Sequence, residues 1–443
     1  MLTRYVPRPN LSDSLTAPAT KRPLTRNQVR GFFAAWGGIV LDGMDSFIYA
    51  LVLTPAMRDL LPASGIPATP GNLGLYGSIL FSVFLVGWGS AFLWGPVADR
   101  FGRVRSLMLA VLCYALFTFL GCMSRNIWQL GVFRLLAGFG VGGEFVGAAV
   151  FVAEEMPDRR RVSSAGLLNS GYYVGAFLAA ALNYLIGARY GWRAMFALGG
   201  LPALFIAYIR TRVREPERWT MRMKAMGGAS ARASFLALFS PEYRRRTLVN
   251  CALLLISMIG LWAGSVYAPS AVTEVALREG YDAHQSARIA SWAAMLLSCG
   301  TILGCLCMPI AANRAGRRGA LAVFFTLMAA SIAAGFGYAF YLPHAPLRFF
   351  IPCLFLVGVG GANLSVYLVW IPEQYRSECR GSALALATCI GRFIAAGATF
   401  LVGAGISLFG SIGAPVALTS LAFVLGLFII PFSVETKGEP LPV

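Results

Sequence analysis

Two short stretches with the same spacing decide how this chain is organised. Residues 95–105 read GPVADRFGRVR and residues 309–318 read PIAANRAGRR, so both contain the pattern [D/N]-R-x-G-R. Each stretch follows a long apolar segment, and a polar, arginine-rich segment at residues 211–246 separates the two. A recurrence at equivalent places predicts a duplicated architecture, in which two similar halves are joined by a polar linker.

The composition places both halves in a membrane. Of the 443 residues 57% are hydrophobic and 13% are charged, whereas a soluble domain has about 25% charged residues. Apolar runs of about 20 residues, the length of a membrane-spanning helix, recur along the chain. Because lipid offers no hydrogen bonds to the backbone and the runs are continuous, they predict helices rather than a barrel. We expect twelve spans, at residues 29–54, 72–97, 105–123, 127–152, 164–187, 192–210, 247–270, 287–312, 319–341, 347–371, 380–405 and 411–433.

The predicted fold class is an all-α polytopic membrane protein with twelve transmembrane helices in two pseudo-symmetric six-helix bundles. Its parts are an N-terminal tail, an N-terminal bundle, a linker, a C-terminal bundle and a C-terminal tail, at residues 1–28, 29–210, 211–246, 247–433 and 434–443. Most of the 37 Lys and Arg residues fall in the tails and in the connections after even-numbered spans. Positively charged connections face the cytoplasm. We therefore expect a multi-pass protein of the bacterial inner membrane with both termini in the cytoplasm.

Several classes of function are disfavoured by the residues. The net charge of +18 follows the membrane topology and suits contact with anionic lipids, so we expect no nucleic-acid partner. The first 30 residues contain no hydrophobic region of a signal peptide. The nine cysteines have no paired spacing, and both His284 and His344 fall in predicted outer connections. We expect a monomer that is not an enzyme and has no cofactor, structural disulfide or metal site.

The repeated stretch and several others resemble the major facilitator superfamily, and the resemblance extends along nearly the whole chain. The stretch after the second span matches that family's G-x-x-x-D-R-x-G-R-x-R pattern. The other matching stretches are RLLAGFGVGGE at 134–144, AEE at 153–155, REPERW at 214–219, EQYRSECRG at 373–381, GRF at 391–393 and VETKG at 434–438. DGMD at 42–45 is similar to the D-G-[FY]-D of aromatic acid:proton symporters and related metabolite:proton symporters, with Met44 in place of the usual aromatic residue.

The resemblance implies a latch on the cytoplasmic side. Asp99 would face the N-terminus of the eleventh span near Arg380, where the helix dipole favours a carboxylate. Arg103 could pair with Glu154 or Glu155. Asn313 replaces the acid in the second half, so we expect that latch to be electrostatically weaker. The alternative is an ordinary positively charged connection. The residues assigned to gating are Gly95, Asp99, Arg100, Gly102, Arg103, Arg134, Glu154, Glu155, Asn313, Arg314, Gly316, Arg317, Glu373 and Arg380.

Three acids within the predicted spans are candidate proton sites, because an ionisable group at this depth is functional by default. Asp42 and Asp45 are three residues apart and share one helical face. Two neighbouring carboxylates in a low-dielectric setting repel each other, which favours proton uptake by one of them. We predict Asp45 as the proton site, with Asp42 coupled to it or paired with an arginine, and Glu144 as a second candidate. Alternatively, both aspartates are structural acids.

Arg392 is the predicted anchor for an anionic substrate. A guanidinium stays charged and can bind a carboxylate through two parallel hydrogen bonds. The alternative is a structural partner for an acid on a neighbouring helix. Polar and aromatic residues at a similar depth are predicted to line the same cavity, and aromatic faces suit a flat ligand. These are Asn169, Tyr172, Tyr173, Trp262, Tyr267, Asn363 and Tyr367, with Trp292 and Trp370 as further candidates.

These residues and the family resemblance predict a proton-coupled secondary active transporter that imports a small organic acid anion, an aromatic acid or a related carboxylate, by alternating access. Anion uptake against an inside-negative potential costs about 2.3 kcal/mol per charge per 100 mV, a cost that co-transported protons cancel. The expected partners are the carboxylate, protons and membrane lipids. The alternative is a uniporter or antiporter of the same fold for a sugar acid, a sugar or a drug. A membrane-embedded enzyme and a receptor are further alternatives.

Overall fold

The structure is a computed structural model that describes residue 24, residues 26–94, 103–143, 148, 152, 156–203, 235–376 and 379–439, and residue 442. Every regular element in these ranges is a helix. The first half contains α1 to α6, at Arg26–Ala63, Pro70–Gly89, Arg103–Gly121, Ile127–Gly142, Asp158–Leu182 and Trp192–Leu198. The second half contains α7 to α14, at Arg244–Ser265, Ala268–Arg278, Ala283–Ile332, Pro346–Gly361, Leu364–Gln374, Arg380–Phe409, Gly413–Leu418 and Ser420–Ile429.

Eight helical segments of the described residues are long and apolar enough to cross a membrane. Two shorter apolar helices, Met108–Gly121 and Ile127–Gly142, accompany them. One segment, Ala283–Tyr341, has 59 residues and accommodates two predicted spans, because the chain kinks at Gly316, with φ 78° and ψ 176°. The predicted all-α, membrane-spanning class is confirmed. The predicted domain boundaries stay predictions.

Helix α1 is longer than predicted. It continues to Ala63 instead of ending at residue 54, and Pro55 lies inside it. The turns beyond Pro55 are held against the bundle by the side chains of Ala56, Met57, Leu60 and Leu61, which are at most 1% exposed. We call the side of the protein on which α1 begins the near side, and the side on which it ends the far side.

Two predicted spans are interrupted in the structure. The seventh is divided into α7 and α8 at Val266 and Tyr267, and the tenth into α10 and α11 at Ala362 and Asn363. Discontinuous helices place side chains and free backbone groups at the middle of transporter bundles. Tyr267 and Asn363, both predicted site residues, therefore lie at helix breaks.

Close packing of α1 against α5 explains the glycine of DGMD. A Cβ atom on Gly43 would lie 1.9 Å from the carbonyl oxygen of Tyr172, and one on Gly175 would lie 1.9 Å from that of Val40. The two backbones therefore touch, which only small residues permit. This contact fixes the helical face that carries Asp42 and Asp45, and both side chains are fully buried.

Several hydrogen bonds between uncharged groups connect the two halves. In the middle, Ser82 Oγ donates to the Ala396 carbonyl at 2.7 Å, joining α2 to α12. On the far side, Asn183 Nδ2 donates to Ser291 Oγ at 2.8 Å, and Thr54 Oγ1 donates to Ser270 Oγ at 3.3 Å. Arg288 of α9 also donates to the Tyr184 hydroxyl on this side. None of these far-side contacts is an ion pair, so the halves can separate here at a modest cost.

Candidate substrate and proton site

The first element of the site is a buried ion pair within the first half. Asp45 Oδ2 lies 3.6 Å from Arg134 Nη2, and the two side chains are 0% and 1% exposed. Arg134 also donates to Thr118 Oγ1 at 3.3 Å. Its guanidinium carbon lies 5.3 Å from the ring centroid of Tyr49 and 5.0 Å from that of Phe84. With aromatic faces around it and no access to water, Arg134 depends on Asp45 for charge compensation.

The second element crosses the interface between the halves. Arg392 on α12 is 2% exposed and interacts electrostatically with Cys389 of the same helix, with Asp42 on α1 and with Tyr172 on α5. Its guanidinium carbon lies 4.2 Å from the ring centroid of Trp88 on α2. The two aspartates of DGMD therefore have different arginine partners. Asp45 forms an ion pair inside one half, whereas Asp42 interacts electrostatically with an arginine of the other half.

A cluster of aromatic rings lies beside the Arg392 guanidinium, which it contacts through Trp88. Trp262 of α7 lies at ring-centroid distances of 5.3 Å from Phe81, 5.5 Å from Trp88 and 6.3 Å from Tyr172. The second half thus inserts an indole among aromatic side chains of the first half. We call this set the aromatic cluster; its members are Phe47, Phe81, Phe84, Trp88, Tyr172, Tyr173 and Trp262.

Four members of the aromatic cluster were not predicted from the sequence. Phe81, Phe84 and Trp88 recur at the spacing of one helical face, and Phe47 follows DGMD by two residues. That periodicity could have identified the face, but in an apolar helix it cannot separate a binding surface from ordinary packing.

Several buried donors in the aromatic cluster lack a hydrogen-bond partner. Among the described residues nothing accepts from Nε1 of Trp88, Nε1 of Trp262 or the hydroxyl of Tyr173. Buried polar groups are nearly always paired with protein, water or ligand. A carboxylate is an acceptor-only group, so it can satisfy such donors beside a guanidinium.

Three other predicted site residues form hydrogen bonds within the protein. Asn169 Nδ2 donates to Ser365 Oγ at 2.9 Å and so joins the halves. The Tyr367 hydroxyl donates to the Leu253 carbonyl at 2.9 Å and holds α11 against α7. Asn363 Nδ2 donates to the Gly360 carbonyl at 2.9 Å, whereas its Oδ1 has no partner among the described residues.

The two additional tryptophan candidates do not face the aromatic cluster. Trp292 is 52% exposed, as expected of a side chain on the lipid-facing surface. Trp370 donates from Nε1 to the Val434 carbonyl at 2.8 Å, so it fastens the C-terminal tail. Depth along a helix, which the sequence gives, does not determine the direction in which a side chain points.

A polar network holds the near side of the second half. Arg317 donates from Nη2 to Glu373 Oε1 at 2.7 Å and from Nε to Oε2 at 2.9 Å. Thr436 Oγ1 donates to the same carboxylate at 2.6 Å. Arg380 donates to the Pro372 carbonyl at 3.0 Å. Three residues assigned to gating are therefore linked through α11 and the C-terminal tail.

Glu435, which was not assigned a role from the sequence, completes this network. Its carboxylate accepts from the backbone N–H groups of Arg317 at 2.9 Å and Arg318 at 3.0 Å. These groups follow the kink at Gly316, where a Cβ atom would lie 2.4 Å from Glu435 Oε2. Lys437 Nζ donates to the Arg314 carbonyl at 3.0 Å, and Asn313 is exposed. The C-terminal tail thus places an acid, Glu435, beside the connection in which Asn313 stands where the first half has Asp99.

A further group of predicted residues lies outside the part of the chain that the structure describes. Glu144 and, apart from Arg134, the gating residues of the first half lie outside the described residues, as does the side chain of Arg103, which opens α3. Those gating residues are Gly95, Asp99, Arg100, Gly102, Glu154 and Glu155.

Residues 35–399 match the Major Facilitator Superfamily. The chain belongs to this superfamily. One relative of this major facilitator protein is a probable 4-methylmuconolactone transporter of Cupriavidus pinatubonensis, 27% identical over 93% of this chain and 91% of the relative. Another is a gentisate transporter of Corynebacterium glutamicum, 24% identical over 83% of this chain and 79% of the relative.

Solved structures show the same fold. A partially occluded, inward-open structure of the xylose transporter from E. coli matches with a TM-score of 0.71 at 21% identity, over 94% of this chain and 100% of that one. The predicted family and fold are confirmed, and this major facilitator protein is a multi-pass membrane transporter.

Proposed function

We propose that this major facilitator protein imports a small organic acid anion with a flat, unsaturated or aromatic body, together with protons, by alternating access. The observation that carries the proposal is the buried Arg392 guanidinium, which lies 4.2 Å from the Trp88 ring at the edge of the aromatic cluster. The relatives named for 4-methylmuconolactone and gentisate support this class of substrate.

Substrate recognition follows from the chemistry of these groups. The substrate carboxylate binds the Arg392 guanidinium, and the rings of Trp88, Tyr172 and Trp262 flank its flat body. The unpaired Nε1 groups of the two tryptophans donate to its remaining oxygens or ring substituents. Because Asp42 interacts with the same guanidinium, a bound anion competes with Asp42 and weakens the connection between the halves. Substrate binding is thereby coupled to their relative movement.

We assign the transported proton to Asp45 because its ion pair is loose. A charge-assisted N–H···O bond is normally about 2.7–2.9 Å long, and the Arg317–Glu373 pair has this geometry at 2.7 and 2.9 Å. The Asp45–Arg134 separation is 3.6 Å. Protonation of Asp45 therefore breaks no short hydrogen bond, whereas protonation of Glu373 would break two. The first pair suits a proton carrier and the second suits a latch.

The proposed orientation in the membrane rests on the charge distribution. Positively charged connections face the cytoplasm, which makes the near side cytoplasmic and the far side external. The network of Arg317, Glu373 and Glu435 then holds the cytoplasmic side of the second half closed while substrate enters. Release requires this network to open.

The proposal is tested by uptake into proteoliposomes. Labelled benzoate, gentisate, muconate and xylose would be offered with and without an imposed pH gradient, acidic outside. Accumulation of a carboxylate only with the gradient is the expected result. Equal uptake without the gradient would instead support the uniporter or antiporter of the same fold, and preference for xylose would contradict the substrate class.

A further inference from the structure

A cavity lies between the two halves on the far side. Its volume is about 260 Å³, slightly below the roughly 300–1,000 Å³ of sites that hold drug-sized ligands. It therefore fits a molecule with a single ring. The walls come from both halves: α1 and α2 on one side, α8 and the end of α12 on the other. Leu73, Leu277 and Ile406 are among its apolar lining residues.

The charge at this cavity is positive. Arg58 lines it and is exposed, and among the described residues it forms no hydrogen bond or ion pair. Glu274, the acid that also lines the cavity, forms an ion pair with Arg278 one helical turn away. The negative charge of Glu274 is therefore compensated, and Arg58 provides the net charge that an anion meets there.

The floor of the cavity is a buried hydroxyl at a helix break. Tyr267 lines the cavity and is 1% exposed. Its hydroxyl lies near the Ser78 side chain but has no hydrogen-bond partner of normal length among the described residues. Thr54 and Ser270, which also line the cavity, form one of the far-side hydrogen bonds between the halves. Trp262 of the aromatic cluster precedes Tyr267 on the same span.

We propose that this cavity is an entrance site, in which a single-ring carboxylate binds before it reaches Arg392. The Arg58 guanidinium binds the carboxylate, the apolar walls contact the ring, and the Tyr267 hydroxyl donates to a ring substituent. The site rests on the proposal that the cargo is an organic anion. Because Arg58 is exposed, salt screens its attraction for the carboxylate. The entrance site therefore binds the ligand more weakly than the central site. It releases the ligand inward when the Thr54–Ser270 hydrogen bond breaks and the Tyr267 side chain moves away.

The experiment separates the two sites by removing the central one. Purified Arg392→Ala protein would be titrated with 4-fluorobenzoate in detergent, and binding followed by fluorine NMR line broadening. We expect residual, salt-sensitive binding that Arg58→Gln weakens by about threefold to fivefold, the effect of losing one exposed ion pair, and that Arg58→Lys largely retains. Arg125→Gln is the matched control, because Arg125 is another exposed arginine on the far side.

Two results would overturn the entrance site. One is an absence of residual binding in Arg392→Ala, and the other is residual binding that Arg58→Gln leaves unchanged. A wrong assignment of the central site would give a different result from both. The wild-type and Arg392→Ala proteins would then bind 4-fluorobenzoate with equal affinity, independently of the effect of Arg58→Gln. A Tyr267→Phe variant provides a second measurement, since it keeps the ring and removes only the hydroxyl. We expect it to weaken binding of 4-hydroxybenzoate more than that of 4-fluorobenzoate.

Discussion

Asp45 Oδ2 and Arg134 Nη2 lie 3.6 Å apart inside the first half, where neither side chain is more than 1% exposed. Asp42, one helical turn away, interacts instead with Arg392 of the second half. The two neighbouring carboxylates therefore interact with different arginines, Asp45 with one of its own half and Asp42 with one of the other half. In the proposed function, this separation lets a proton and an anion bind to adjacent but distinct groups.

Replacing Asp45 by asparagine should uncouple transport from protons. The amide keeps the shape of the side chain but cannot take up and release a proton, so gradient-driven accumulation of labelled substrate should be lost while exchange persists. Asp59→Asn is the control on the same helix, because Asp59 is 56% exposed and pairs with Arg193. Full proton-driven accumulation by Asp45→Asn would refute the assigned role.

Replacing Arg392 by alanine should weaken substrate binding. Loss of a buried charge partner costs about 2–5 kcal/mol, so the substrate Kd should rise by at least about 30-fold. Lysine should restore part of the affinity because it keeps the charge and loses the planar fork. Equilibrium binding to purified protein checks this, with the exposed Arg348→Ala as control. An unchanged Kd would place the anion site elsewhere.

A methyl group at residue 43 should separate α1 from α5. The Cβ atom of Gly43→Ala would lie 1.9 Å from the Tyr172 carbonyl oxygen, and overpacking of this kind costs about 1–3 kcal/mol. Both the unfolding temperature in detergent and the transport rate should fall. Gly397→Ala is the matched control, because nothing lies within 4 Å of its added Cβ atom. Equal stability of the two variants would contradict the close approach.

Neutralising Glu373 should open the near side. Glu373→Gln leaves Arg317, 7% exposed, without its charge partner, a change that costs about 3–5 kcal/mol at a buried pair. Cys379 on the near side is 4% exposed, and its alkylation, followed by peptide mass spectrometry, should become faster. Glu439→Gln is the control, since Glu439 is an exposed acid of the same tail. Alkylation at the wild-type rate would show that Glu373 is not a latch.

The sequence predicted the membrane-spanning helical fold because apolar length and a recurring motif are local properties. It also placed Asp42, Asp45 and Arg392 in the interior, because an ionisable group in an apolar run has few other stable locations. The partners of these groups depend on how helices rotate and cross, which no local pattern specifies. Trp88 and Trp292 illustrate the limit: both lie in apolar helices, but only Trp88 faces the site.

The role of the C-terminal tail could not be predicted for a similar reason. Glu435 lies in the VETKG stretch that resembles the family, but nothing in that stretch indicates a partner for the acid. Its function depends on backbone N–H groups at residues 317 and 318, more than one hundred positions earlier in the chain. Only the folded structure brings the Glu435 carboxylate to the connection between the two spans of α9, where the sequence has Asn313 and no acid.

Proton movement on substrate addition tests the central claim most directly. Proteoliposomes with no imposed gradient would be suspended in weakly buffered medium, and the external pH recorded as benzoate or gentisate is added. Co-transport predicts alkalinisation of the medium with the wild-type protein and none with Asp45→Asn, at equal amounts of reconstituted protein. Entry of the labelled acid without any change in external pH would contradict proton-coupled import.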